Sequence, residues 1–321
     1  MKRAPATLRL CDTRFVTPKF RAWLLVVIVS ALCGLSLGGV IWYRSRALTP
    51  AALLRRLPTD DAVIVYIDFA KLRTGGILQL LDGSKVGEDP EYQAFVRKTD
   101  FDYKQDLEAA LLAFSPQGKY MLLKGRFDWK SLSAYVRGTD GACNNSFCRM
   151  VGSSPERRIS FFPVQSNLMA LAVSPEEDAA HRMSEIDSRP EQEVPDAPIW
   201  LSIPPSVVNS GQNLPAGTQM FARSLKRAQA VTLAIAPEAD RFAARLNVRC
   251  ASAGDATELA GELTKTTSLL RELITKEHQT PNPADLSGFL TSGTFRSEGS
   301  RVQGYWPMQR ALIENLLGGG N

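Results

Sequence analysis

A chain of 321 residues is long enough for one large domain or two small ones, each with a sizeable core. Its pI near 9.0 suggests an anionic partner until the charges are placed: residues 1–46 hold eight Lys/Arg and one acid, Asp12, which leaves 30 basic and 32 acidic residues for 47–321. The basicity belongs to the N-terminal tail, so a nucleic acid, which needs a basic face on the folded domain, is excluded as the expected partner.

Residues 1–22 read as a basic cytoplasmic tail. Trp23 to Tyr43 contains no charged residue, and at about 1.5 Å per helical residue it is long enough to cross a bilayer core of about 30 Å. Trp23, Trp42 and Tyr43 supply interfacial rings, and Arg21, Arg44 and Arg46 end the apolar run. The pattern predicts a single-pass transmembrane anchor over 23–43. Six Lys/Arg precede it and four (Arg44, Arg46, Arg55, Arg56) follow closely, which places the N-terminus in the cytoplasm and the bulk in the periplasm or outside a cytoplasmic (inner) membrane. Ser30-Ala31-Leu32-Cys33 is only a faint lipoprotein site, because Leu32 stands where a small residue belongs, and the acid-poor tail also has the look of a transit peptide. Ser30, Gly34 and Gly38 recur every four residues and offer a helix-packing face for self-association, although membrane helices tolerate glycine in any case. The Gly34-Leu-Ser-Leu-Gly38 spelling of a nucleophile elbow is empty inside a continuous helix.

Residues 44–58 form a juxtamembrane connector that Pro58 ends. A first lobe is predicted over 59–187. It opens with the β-branched strand Ala62 to Asp68 and a helix over Ala70 to Leu81, broken near Gly75-Gly76. Asp89-Pro90 starts a helix, and Asp102 with Gln105 makes a capping box ahead of a helical Leu107 to Leu112. A hairpin follows around Ser115 to Gly118, then a helix capped by Asp128, a polar loop carrying Cys143 and Cys148, and a hairpin over Arg158 to Val173. Ser174-Pro-Glu-Glu177 opens another helix with cap, first-turn proline and boxed glutamate in order.

Residues 188–198, acidic and rich in proline, read as a linker. The grammar restarts in a second lobe over 199–321: a strand at Ile199 to Ile203, a hairpin around Pro237 to Asp240, a long helix after Ser252 with Ala256, Leu259, Leu263, Leu270, Leu273 and Ile274 on one stripe, a last hairpin over Ser297 to Ser300 and a final helix after Pro307. The expected fold class is α+β, with one transmembrane helix and two similar lobes of antiparallel sheet with packed helices, an internal duplication arranged as separate sheets or as one continuous sheet.

No cofactor or metal is predicted. The cysteines lack a second close pair for zinc, and Cys143 with Cys148 read either as a disulfide, in an oxidising compartment, or as two reduced thiols. His181 and His278 have no motif serine or cysteine beside them and read as solvated helix residues. Asp60-Asp61 and Glu176-Glu177-Asp178 read as turns and caps.

Leu57-Pro-Thr-Asp-Asp-Ala-Val-Ile-Val-Tyr-Ile-Asp68 and Gly125-Arg-Phe-Asp128, set behind a single anchor, resemble bacterial envelope proteins of undefined activity with one N-terminal membrane helix. That resemblance implies an envelope location and carries no functional residues. The reading that follows is a membrane-anchored, non-enzymatic envelope protein whose α+β domain acts as a binding or scaffold module. Its expected partners are the bilayer through 23–43, an envelope protein, lipid or cell wall, and a second copy through the membrane helix. The alternatives are a tethered hydrolase or transferase with a site assembled from scattered residues, and a lipid-binding carrier.

Overall fold

The β-branched run after Pro58 is the first piece of a sheet that extends through both halves of the sequence. In the computed structural model, residues 27–36, 39, 48–75, 77–78, 90–152, 157–188, 190, 192–210, 224–225, 228–238, 241–277 and 280–317 are described. The chain forms two compact units, residues 1–49 and 50–321. In the first unit, residues 27–36 are helical and exposed.

In the second unit, α1 (Pro50–Leu54) leads into β1 (Val63–Ile67). Asp68 accepts a 2.8 Å hydrogen bond from the Lys71 amide and caps α2 (Phe69–Thr74). There follow α3 (Pro90–Thr99), α4 (Tyr103–Asp106), β2 (Leu107–Ser115) and β3 (Gly118–Gly125), then α5 (Trp129–Arg137), whose cap Asp128 accepts from the Lys130 and Ser131 amides. The first half closes with β4 (Ala142–Asn144), β5 (Phe147–Val151), β6 (Arg158–Gln165), β7 (Leu168–Val173) and α6 (Ala179–Arg182). The second half holds β8 (Ile199–Ile203), α7 (Pro205–Ser210), β9 (Ala230–Glu238), β10 (Arg241–Arg249), α8 (Ala253–Lys276), α9 (Leu286–Thr291), β11 (Thr294–Glu298), β12 (Arg301–Met308) and α10 (Arg310–Leu317).

These strands make one 12-stranded sheet in the order β11-β12-β10-β9-β8-β1-β2-β3-β7-β6-β5-β4, and every pairing is antiparallel. Outward from the central β1–β8 pair, the order β1-β2-β3-β7-β6 on one side repeats as β8-β9-β10-β12-β11 on the other. At the seam Tyr66 lies opposite Trp200, and their rings stack at 5.5 Å between centroids.

The expected fold class is corrected in its membrane helix. Among the described residues no helix is long and apolar enough to cross a membrane: the ten helical residues 27–36 fall short of the roughly 20 that a span needs, and the rest of 23–43 apart from Gly39 lies outside the described residues. Of the two arrangements expected for the halves, the continuous sheet is the one formed, because β1 and β8 pair through Ile64↔Ser202 to Ile67↔Ile199. Locally, Leu107 to Leu112 is strand rather than helix. Its leucines and alanines favour helix by propensity, but hydrogen bonding to β1 on one side and β3 on the other overrides them. The capping partner in the preceding turn is Asp106, which accepts from the Asp102 amide at 2.8 Å, and not Gln105.

Alternation along each strand sorts side chains onto two faces. On one, α8 lays Ala256, Leu259, Ala260 and Leu263 over Val231, Val248, Val302 and Trp306, while α5 lays Leu132 and Val136 over Phe161 and Met169. The opposite face of the first half is covered by α1 and α6: Leu53, Leu54 and Leu57 are buried, Ala179, Ala180 and Met183 are buried, and the Ala180 amide donates to Ser160 Oγ at 3.3 Å. Arg55 ties these coverings together by donating to the Asp187 carbonyl at 2.8 Å, and Arg56 does so through the Ser184 carbonyl. In the second half α10 sends Leu312 into the cluster under α8, so among the described residues the corresponding opposite face keeps an open stretch.

Trp200 is 2% exposed at the seam. Trp200→Ala should remove about 3–5 kcal/mol, the usual cost of truncating a buried aromatic, read as a lowered guanidinium midpoint for the whole chain.

Candidate functional site

The uncovered face of the second half is written in period two. On β9 the alanines and threonine Ala230, Thr232, Ala234 and Ala236 point to it. On β10 Arg245, Asn247 and Arg249 do so, on β12 Arg301, Gln303 and Tyr305, and on β11 Thr294 and Arg296. The residues between them, such as Val231, Val248 and Val302, serve the core beneath α8. Together with the segment Glu193 to Ala197, which forms one wall, these side chains line an open cavity of about 760 Å³. The sequence-predicted linker is thus part of the cavity's boundary. It is fixed there by a 2.7 Å bond from the Asp68 amide to the Pro198 carbonyl and by an ion pair between Lys71 and Asp196 at 3.4 Å.

The charges in this cup are unevenly compensated. At one end Glu238 takes up the cations: Arg245 Nη2 donates to it at 2.9 Å, Arg241 Nη2 lies 3.5 Å away, and Tyr305 OH donates to it at 2.5 Å. The Tyr305 bond, helped by the two arginines, holds the Glu238 carboxyl below its ordinary pKa, and the same bond raises that of Tyr305. At the other end Arg249 and Arg301 stand directly opposite each other in the β10–β12 ladder. Like charges in that position are unfavourable by roughly 0.2–1 kcal/mol. Arg301 reaches Glu193 only at 4.0 Å, and among the described residues the Arg249 guanidinium has no carboxylate partner. Arg296 donates to the neutral Gln303 amide oxygen at 2.9 and 2.6 Å, while Gln303 in turn donates to Glu298 at 2.9 Å. Counted over the whole face, Arg241, Arg245, Arg249, Arg296 and Arg301 stand against Glu193, Asp196, Glu238 and Glu298, an excess of one positive charge, and Glu298 lies directly opposite Arg301 in the β11–β12 ladder.

The residues singled out by sequence lie elsewhere. Cys143 and Cys148 face each other across the β4–β5 rung with their sulfurs joined at 2.06 Å, at the edge of the sheet remote from β11. Ser30 and Gly34 lie on the exposed helix of the first unit, and Gly38 lies outside the described residues, as does His278. His181 is an exposed residue of α6, as expected, and sits edge-on to Phe162 and Phe147 at 4.9 and 6.1 Å between centroids. Glu176 and Glu177 pair with arginines: Glu177 with Arg149 at 2.7 Å and with Arg158, and Glu176 with Arg182. Among the described residues no group of His, Cys, Asp or Glu is placed to hold a metal ion. The arginines of the cup were not singled out by sequence, although Arg241-Phe-Ala-Ala-Arg-Leu-Asn-Val-Arg249 shows the alternation that builds it.

No family model matches the chain, and no curated protein matches it. Among solved structures it is similar to TP0453 in crystal forms IV, I and III. The identities are 13%, 13% and 12%, the TM-scores 0.47, 0.48 and 0.49, with 83%, 84% and 82% of this chain and 96%, 98% and 95% of the other covered. Similarity at this level assigns no function.

Because its folded pKa is depressed, Glu238 contributes stability that is present above the ordinary carboxylate pKa and lost as acidification passes through the depressed value. Tyr305→Phe should therefore raise the Glu238 pKa toward the ordinary range, measured by carboxyl NMR titration, and flatten that part of the pH–stability profile.

Proposed function

We propose that this chain is a non-enzymatic binding module whose ligand site is the open cup on the second half of the sheet. The observation that carries this reading is the Arg249–Arg301 rung, two like charges facing one another in an accessible concavity where, among the described residues, Arg249 has no carboxylate partner and Glu298 stands on the far side of Arg301. An anionic ligand would relieve the repulsion and form charge-assisted bonds to both guanidinium groups. The alanines of β9 and Val194 and Pro195 of the wall add apolar surface beside the charges, so the site suits an anion with an apolar portion. The hydroxyl beside a carboxylate in the cup, Tyr305 on Glu238, has its pKa raised rather than lowered and is poorly activated as a nucleophile, which favours binding over turnover. The joined Cys143 and Cys148 sulfurs support an oxidising, extracytoplasmic location for the domain.

Anilinonaphthalene sulfonate, an anionic and partly apolar dye, should bind the intact chain saturably. Its affinity should fall at least ~10-fold in Arg249→Glu/Arg301→Glu, a loss of about 1.4 kcal/mol, with unchanged circular dichroism. Dye binding that ignores both substitutions, or arginine-dependent hydrolysis of ester, phosphate-ester or peptide substrates, would overturn the reading.

A further inference from the structure

We infer that the occupant of the cup is an extended acidic peptide segment of a partner protein, laid beside the chain's own wall segment. This rests on the cup being the ligand site and adds what fills it. The wall already shows the arrangement: Glu193-Val-Pro-Asp-Ala197 is an acidic stretch without regular structure that passes the floor of β9, β10 and β12 and points Glu193 at Arg301. That contact is long, at 4.0 Å, and the Glu193 side chain is 89% exposed, so it satisfies only a fraction of the charge it faces. A second peptide fits where the first leaves off. Asn247, opposite Gln303 one rung further along the same face, provides an amide group next to the guanidinium pair. Thr232 and Ala234 are small enough for a backbone to approach the floor closely.

Charge spacing favours a peptide over a single small anion. Strands lie about 4.8 Å apart, so Arg249 and Arg301 on adjacent strands and Arg296 one strand further out spread positive charge over about 10 Å, with the Glu298 carboxylate on the outer strand opposite Arg301. One carboxylate can bridge the Arg249–Arg301 rung, and a second, from a residue two positions along, can reach Arg296. Glu193 acts as a weak internal competitor for the same rung.

The test is fluorescence anisotropy on the full chain at low ionic strength, where screening is weak, with a fluorescein-labelled decapeptide alternating Glu and Val. Saturable binding is expected. It should weaken at least ~10-fold in Arg249→Glu/Arg301→Glu and vanish for the peptide with Gln in place of Glu, and it should tighten about two- to threefold in Glu193→Gln. A decapeptide alternating Lys and Val should bind the Arg249→Glu/Arg301→Glu variant and not the natural chain, which guards against misreading a folding defect. Absence of saturable peptide binding, or binding indifferent to the arginines, overturns the inference; if the sulfonate dye still depends on Arg249 and Arg301, the cup stands and only its occupant is wrong. Arginine-dependent cosedimentation with phosphatidylglycerol vesicles that the acidic peptide fails to compete away would overturn it in favour of a lipid headgroup.

Discussion

The pairing of β1 with β8 is the contact on which the second unit depends. It joins two runs of sequence more than a hundred residues apart, and it fixes which face of each half is which, because a one-residue slip would turn every side chain over. Tyr66 stacked on Trp200 pins that register with the largest buried side chain of the seam. From there the strands add outward in the same order on both sides, so the halves share one continuous backbone network and not merely a packed interface.

The symmetry of the sheet is broken by where the chain goes after each terminal hairpin. After β7 the chain crosses to the face opposite α5, where α6 and α1 cover the strands. After β12, α10 stays with the cluster under α8. The same strand order therefore yields a closed face in one half and an open one in the other. A covered face selects alanine, leucine and tyrosine, as at Ala113, Leu122 and Tyr120, whereas the uncovered face carries arginine, asparagine and glutamine.

Much of this architecture was legible in the sequence. The strand after Ala62, the helix starts at Asp128 and Ser252 and the acidic proline-rich 188–198 between the halves were read in place, whereas β4 and β5 were read as a polar loop around Cys143 and Cys148. Leu107 to Leu112 was misread because its composition favours helix, and only its neighbours in space make it a strand. The span over Trp23 to Tyr43 was inferred from its uncharged run and the residues flanking it, and among the described residues no helix is long and apolar enough to cross a membrane. The cup was missed for a different reason. Its arginines are scattered over β10, β11 and β12, and the near-zero balance of 47–321 conceals them, since net charge says nothing about which residues a fold brings onto one face.

The two borders of the sheet bear on how anything could attach to it. One border, β4, is three residues long and is stapled to β5 by Cys143 and Cys148; the other, β11, is five residues long and alternates Arg296 and Glu298 outward from its hairpin. Short, charged or crosslinked margins are poor templates for a foreign strand. So large a sheet resists growing sideways into fibres, and a visitor is steered onto its broad surface instead of its rim.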